Sequence, residues 1–319
     1  MVATMSKTPV HNPVMRDEAM SRLSLRAGGT YVDCTTGLGG HSEAIAETIG
    51  LSGRLLCIDR DASALSLARE RLGRFSERVV FRQANYSELP EVASDAGISS
   101  ADGILLDLGV SSLQLDGAER GFAFGLEGPL DMRMDRRQRL TAAEIVNEWA
   151  EDDLADLFRR FGEVRHARRI ASTVVRARPV QTTWELARAV EQAAGGARSH
   201  QKIHPATQVF LALRVRVNGE LDNLQTVLPL ARSLLGFGST RRGRLVVISF
   251  HSLEDRIVKE FFRHESTDCI CPPRTPVCIC GHRATMALVT RRGLRPSEGE
   301  VATNRRSRSA MLRAAERVA

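Results

Sequence analysis

Tyr31-Val-Asp33-Cys-Thr-Thr-Gly37-Leu-Gly39-Gly40-His41-Ser42 decides the reading of this chain. Residues 31–34 form a short apolar run that reads as a strand, and residues 35–40 form a glycine-rich turn. Residues 41–49 follow with helical spacing and stop at Gly50, a residue suited to the left-handed conformation that ends many helices. A glycine loop between strand and helix lets backbone approach a ligand closely, and the helix start offers amide donors. Alone, the same loop is also how any α/β protein turns a corner.

The rhythm continues outward. Residues 54–58 read as a second strand that ends at Asp59. Asp61 is placed to cap a helix through residue 72 that carries Leu65, Ala68 and Leu72 on one face. Residues 79–82 and 102–106 read as third and fourth strands. Alternating strands and helices of this length predict a parallel sheet covered by helices. From residue 113 the pattern becomes helical, with capping-box spacings at Thr141-x-x-Glu144 and Thr182-x-x-Glu185. Helices are expected over residues 205–217 and 223–235, a buried strand over 245–250, a helix over 253–263, a last strand near 284–290 and a terminal segment from 309. The expected organisation is thus an α/β domain of residues 1–112 and 204–319 with residues 113–203 as a helical insertion.

Asp59 stands twenty residues past Gly39, at the carboxyl end of strand two, where an acidic side chain can accept hydrogen bonds from both ribose hydroxyls of an adenosine. NAD and S-adenosylmethionine both use such an arrangement. The third fingerprint position, Ser42, is small enough to discriminate only mildly. Strand four, Gly103-Ile-Leu-Leu-Asp107-Leu-Gly109-Val-Ser111-Ser112, puts another carboxylate and a small-residue turn at the sheet edge where open α/β folds bind ligands.

The chain has 319 residues, 43% of them hydrophobic, enough for a substantial core. Its net charge of +7 is unevenly spread. Residues 159–178 hold seven Arg and one acid, and residues 283–317 hold nine Arg and three acids, a pattern that suits a polyanionic partner as well as ordinary solvated helix faces. No stretch approaches the roughly 20 apolar residues of a membrane span, and residues 1–12 lack the apolar core of a secretory leader, so a cytoplasmic location is expected. Cys34 and Cys57 lie in apolar strands. Cys269, Cys271, Cys278 and Cys280 form a C-x-C-x6-C-x-C cluster followed by His282, open between a structural metal site, reduced surface thiols and a redox-sensitive pair. No metal ligand is assigned to catalysis.

Several runs together are more specific: Gly39-Gly40-His41-Ser42, Ile58-Asp59-Arg60-Asp61, Asp107-Leu-Gly-Val-Ser-Ser-Leu-Gln114-Leu-Asp116, Glu119-Arg-Gly-Phe-Ala-Phe, Gly128-Pro-Leu-Asp-Met-Arg-Met134, His204-Pro-Ala-Thr and Ile248-Ser-Phe-His251-Ser-Leu-Glu-Asp-Arg-Ile-Val-Lys259. Over nearly its whole length the chain resembles the bacterial family of 16S rRNA (cytosine-N4)-methyltransferases. The resemblance implies a Rossmann-like class I methyltransferase fold with an inserted helical domain, S-adenosylmethionine as cofactor, and 16S rRNA or the small ribosomal subunit as partner, the target being the exocyclic N4 of a cytidine in the decoding region. It also implies cofactor contacts at Gly39, Gly40, His41, Asp59, Tyr86, Asp107 and Gln114. Tyr86 stands where some members have Phe, keeping an aromatic face for the adenine.

For such a reaction, acceptors that bind the amine hydrogens help to pyramidalise the nitrogen, and Asp107 and nearby turn carbonyls are the candidates. The chain has Asp107-Leu-Gly-Val where familiar amino-methyltransferases have an Asp/Asn-Pro-Pro-aromatic turn, so no proton acceptor is assigned. His251 either reaches the site or packs beside a helix cap formed by Ser252 and Asp255. Phe122, Phe124 and the Arg cluster of the insertion either wall an RNA site or serve as hinge and core. A homodimer is compatible with the sequence. The rival readings are an NAD-dependent oxidoreductase, a noncatalytic RNA-binding factor and a DNA methyltransferase.

Overall fold

The computed structural model describes residues 13–195, 204–238, 242–272, 274–275 and 277–319. The leader reading of residues 1–12 and the expected end of the insertion at 203 lie outside the described residues. The chain divides into two compact units, Met1–Gly109 with Asn223–Ala319, and Val110–Asp222.

The first unit is built on seven strands: β1 (Thr30–Asp33), β2 (Arg54–Asp59), β3 (Val79–Gln83), β4 (Gly103–Asp107), β5 (Arg244–Ser249), β6 (Met286–Leu288) and β7 (Met311–Arg317). Their order is β3-β2-β1-β4-β5-β7-β6. The first five are parallel, and β7 runs antiparallel to both β5 and β6. This is a doubly wound sheet with a reversed hairpin at one border, the class I methyltransferase architecture that the resemblance implies.

The strands are near-continuous apolar runs because both faces of the sheet are buried. Alternate residues go to opposite sides. Val32, Leu56, Ile58, Ile104, Leu106, Leu245 and Val247 share one core, while Tyr31, Leu55, Cys57, Leu105, Val246 and Ile248 share the other. Helices α1 (Arg16–Leu23) and α2 (Gly40–Ile49) contribute Leu23, Ile45 and Ile49 to the second core, and α3 (Ala62–Arg71) lies on the β2 and β3 side. Helix α4 (Leu89–Asp95) contributes Leu89 and Val92 to the first core.

The second unit is helical: α5 (Ser112–Asp116), α6 (Ala142–Glu148), α7 (Glu151–Gly162), α8 (Ala167–Arg176), α9 (Thr183–Ala194) and α10 (Pro205–Asn218). Its core runs from Phe122 through Phe158, Ile170, Val190 and Leu213. Both expected capping boxes are present. Thr141 Oγ1 accepts from the Glu144 amide at 3.2 Å while Glu144 Oε2 accepts from the Thr141 amide at 2.7 Å, and Thr182 with Glu185 does the same at α9. Thr141→Ala leaves the first amides of α6 without that acceptor and is expected to lower unfolding free energy by about 1 kcal/mol, read as a shift of the urea midpoint.

Two aromatics raised as an RNA wall belong to this core. Phe122 is buried, and Phe124 stacks on His204 at 4.9 Å and meets Phe210 edge-on at 5.3 Å. The Gly121 of the same motif is required by geometry: its φ is +71°, and a Cβ there would stand 2.1 Å from the Pro129 carbonyl oxygen. Helix α8 turns Ile170, Ala171 and Val174 inward, which leaves Arg168, Arg169 and Arg176 exposed. Arg178 is a structural donor to the carbonyls of Val146 and Trp149.

Helix α11 (Glu220–Leu234) carries the chain back, placing Leu224, Val227, Leu228 and Ala231 in the first sheet core, and α12 (Ser252–Glu265) follows β5. Helix α13 (Glu298–Thr303) precedes β7. No helix among the described residues is long and apolar enough to cross a membrane.

Candidate active site at the carboxyl edge of the sheet

Three neighbouring parallel strands, β2, β1 and β4, each end on an aspartate: Asp59, Asp33 and Asp107. Each carboxylate is held differently. Asp33 is fully buried at the end of β1, where its Oδ2 accepts from the Ser42 hydroxyl at 2.6 Å and its Oδ1 from the Thr35 amide at 3.2 Å. Burial raises its pKa above the ordinary carboxylate value, against the pull of the Ser42 hydrogen bond and of His41. Asp33 therefore ties the base of the glycine loop to the first turn of α2. Sequence reading quoted this residue without giving it a task, and the signal was its place at the close of an otherwise apolar strand.

Asp59 is partly buried and braces the other side of the loop. Its Oδ2 accepts from the Gly37 amide at 2.7 Å and its Oδ1 from the Asp61 amide at 2.9 Å. Each oxygen keeps a further lone pair for another donor. Desolvation pushes its pKa up to about 6, against the pull of the Asp61 and Gly37 amides, with Asp61 raising it further and Arg60 lowering it. Asp61 caps α3 as expected, its side chain accepting from the Ser63 amide.

The loop itself turns at Gly37 and Gly39. Gly39 has φ +80°, and a Cβ there would stand 3.3 Å from Ala68 of α3 and from Leu72 just beyond it, so a side chain is strained by the backbone conformation and crowded by its neighbours. Gly40, His41 and Ser42 form the first turn of α2, whose leading amides have no partner within a helix.

His41 is 5% exposed and its Nε2 lies 3.4 Å from Asp107 Oδ2. Burial alone would make the imidazole less basic, but Asp107 beside it and Asp33 behind it outweigh burial and raise its pKa. Neither ring nitrogen of His41 has an aligned hydrogen-bond partner among the described residues, nor has the buried Oδ1 of Asp107. Buried polar atoms in this state are expected where a ligand or solvent completes the site. The Asp107 backbone is fixed by its amide, which donates to Thr35 Oγ1 at 2.6 Å, a tie from β4 to the glycine loop that local sequence does not reveal.

Tyr86 is buried at the start of a short 3-10 turn after β3, with the Arg60 guanidinium 5.3 Å from its ring centroid. Asn85 and Glu88 form a capping box that fixes this turn. Beyond β5, Phe250 lies beside Gly109, since a Cβ on that glycine would be 3.5 Å from the Phe250 ring. His251 begins α12. The expected cap by Ser252 and Asp255 is displaced by one residue: Glu254 Oε2 accepts from the amides of Phe250 and His251 at 2.8 and 3.3 Å, and His251 Nε2 lies 3.1 Å from Glu254 Oε1. Asp255 instead pairs with Arg313 of β7 at 2.7 Å. Gln114 belongs to the helical unit, where its Oε1 accepts from the Ser111 amide at 3.0 Å and its amide faces Ser111 Oγ at 3.3 Å.

Gly39, Gly40, His41, Asp59, Tyr86 and Asp107 thus gather along one edge of the first unit. This edge offers helix-start amides without an intrahelical partner for a carboxylate, a carboxylate for vicinal hydroxyls, an aromatic face and a carboxylate with a spare acceptor.

Comparison with known proteins gives the family. The model of the MraW methylase family matches residues 8–318. The ribosomal RNA small subunit methyltransferase H of Dehalococcoides mccartyi is 49% identical over 308 residues, covering 97% of this chain and 86% of that protein. The protein of the same name from Thermomicrobium roseum is 51% identical over 312 residues, 97% of this chain and 94% of its own, and that of Syntrophotalea carbinolica 48% over 311 residues, 97% and 98%. The chain belongs to the MraW methylase family and is an S-adenosylmethionine-dependent methyltransferase.

Proposed function

We propose that the protein methylates small-subunit (16S) ribosomal RNA, at the exocyclic N4 of a cytidine in the decoding region. The relatives named ribosomal RNA small subunit methyltransferase H support the RNA class. The observation that carries an amine target is Asp107: a carboxylate at the end of β4 whose buried Oδ1 has no hydrogen-bond partner among the described residues. An arylamine lone pair is delocalised into its ring, so it becomes nucleophilic when its hydrogens are held by an acceptor that draws the nitrogen towards a tetrahedral shape.

S-adenosylmethionine, when bound, supplies an electrophilic methyl group. The chain supplies alignment, which can be worth roughly 7–11 kcal/mol in favourable cases. Gly39 shapes the loop, its own amide donating to the Thr36 carbonyl at 2.8 Å, the amides of Gly40 and His41 receive the methionine carboxylate, Asp59 accepts from the ribose hydroxyls, and Tyr86 lies against the adenine. The helical unit carries Gln114 and the exposed Arg168, Arg169 and Arg176, and these arginines meet phosphates. Asp107 holds the amine hydrogens. His41, made more basic by its carboxylate neighbours, stands beside Asp107 with Nε2 3.4 Å from Oδ2. The work is done in the cytoplasm, where the small subunit is assembled.

Transfer of labelled methyl to small subunits from a strain lacking the enzyme, followed by nuclease digestion and mass spectrometry of nucleosides, tests the reading. N4-methylated cytidine at one site is the expected product. Label on another atom, or none with cofactor bound, overturns the target.

A further inference from the structure

The connection from α12 to β6 has almost no core of its own. Among the described residues, none between Glu265 and Met286 joins a buried hydrophobic cluster, and Ile270, Val277 and Ile279 are exposed, the last by 82%. A segment of this length without buried apolar surface normally needs a covalent or metal staple to hold one shape.

Four cysteines converge at its tip. The sulfur–sulfur distances are 3.5 Å for Cys269 to Cys278, 3.6 Å for Cys278 to Cys280, 3.9 Å for Cys280 to Cys269 and 4.0 Å for Cys271 to Cys278. All four sulfurs lie within 4.8 Å of one another. A disulfide would bring one pair to about 2.0 Å, and all four cysteines are free. Zinc bound by four thiolates at about 2.3 Å in a tetrahedron requires sulfur–sulfur edges of about 3.8 Å, the middle of the observed range. The Ile279 amide points at Cys271 Sγ from 3.4 Å, the kind of N–H donor that steadies a thiolate ligand.

We propose that Cys269, Cys271, Cys278 and Cys280 bind one zinc ion, which staples this connection. The ion is structural: four sulfur ligands close the tetrahedron and leave no position for substrate or water. The site resolves the C-x-C spacing that makes the motif unlike a C-x2-C knuckle. Each C-x-C pair reaches the ion from one arm of the loop, and the turn between the arms is supported by the Thr275 hydroxyl donating to the Pro272 carbonyl. The base of the loop is held without metal. Ala284 donates to Asp268, Thr285 donates through its amide to the Glu265 carbonyl at 2.8 Å, and Arg232 pairs with Glu265 at 2.6 Å. Losing the ion therefore frees the tip and leaves the sheet in place.

The full-length protein, purified under reducing conditions from zinc-supplemented cells, is expected to carry one zinc per chain by elemental analysis. Its cysteines should resist a thiol reagent until a chelator is added, whereupon four react. Exchange with cobalt should give the d–d absorption of a tetrahedral tetrathiolate site. Cys34→Ser should keep the zinc, and Cys269→Ser with Cys278→Ser should lose it while retaining the circular dichroism of the fold. Wild-type protein with less than a tenth of an equivalent of zinc after dialysis against the metal, or a mass four hydrogens lighter that reports two disulfides, overturns the proposal. So does zinc that survives the double substitution.

Discussion

Replacing Asp107 by alanine is expected to lower kcat for methyl transfer by about 100- to 1000-fold, the usual loss when one preorganised hydrogen-bonding group is removed from a reacting centre. The backbone at this position should stay in place, because the Asp107 amide is held by Thr35 and β4 is paired on both sides. His41 then loses the carboxylate that most favours its charged form, so its apparent pKa should fall in the variant, visible in the imidazole proton shifts. Asp107→Asn retains an acceptor oxygen and should recover part of the rate. The KM against kcat split decides the role: a variant that only binds cofactor more weakly, with kcat intact, would confine Asp107 to cofactor binding and return the amine to the turn carbonyls.

Asp59→Ala is expected to weaken S-adenosylmethionine binding by roughly a hundredfold or more, since hydrogen bonds to a charged group are worth about 1.5–3 kcal/mol each and two ribose hydroxyls are involved. The loop also loses its anchor at Gly37. The same carboxylate makes binding pH-dependent, and the sign follows from its raised pKa of about 6. The ionised form accepts from the hydroxyls and the protonated form does not, so cofactor binding favours loss of the proton. Affinity should be full above pH ~7 and fall about tenfold per unit as pH drops below ~6. Isothermal titration at several pH values measures this, and Asp59→Asn should flatten the profile. A wild-type profile already flat between pH 5 and 7 would remove Asp59 from the ribose.

The first five strands and the helices after β1, β2 and β5 were legible within a residue or two at each end, because apolar runs, Gly50 and Asp61 are local signals, whereas α4 and α5, after β3 and β4, were not read. The loop and two of the strand-end aspartates, Asp59 and Asp107, were legible for the same reason, whereas Asp33 was hidden inside the run read as strand one. What joins them was not legible. The Thr35 tie to β4 and the pairing of His41 with Asp107 depend on strands separated in sequence being neighbours in the sheet, and the Asp33 bond to Ser42 depends on how the glycine loop folds α2 back over the end of β1. Phe122 and Phe124 illustrate the converse, since an aromatic beside glycines reads equally as a binding wall or a core until its packing partners are known. The cap of α12 was misplaced because Ser252 and Asp255 have better capping chemistry than His251, and the Glu254 carboxylate, accepting from two successive amides, overrides that preference.

The placement of β7 between β5 and β6 has a consequence for how the molecule is made. Among the described residues strand β6 is paired only with β7, and the side of β5 away from β4 is covered by the same seven residues, Met311–Arg317. During synthesis, β5 and β6 therefore emerge before the strand that joins them, and the nascent chain holds an apolar border with open amides and carbonyls beside the completed β4 ladder. Such a border is a template for strands of other chains. Protection of that border by a chaperone, or rapid arrival of the last strand, then decides how much of the newly made protein escapes aggregation.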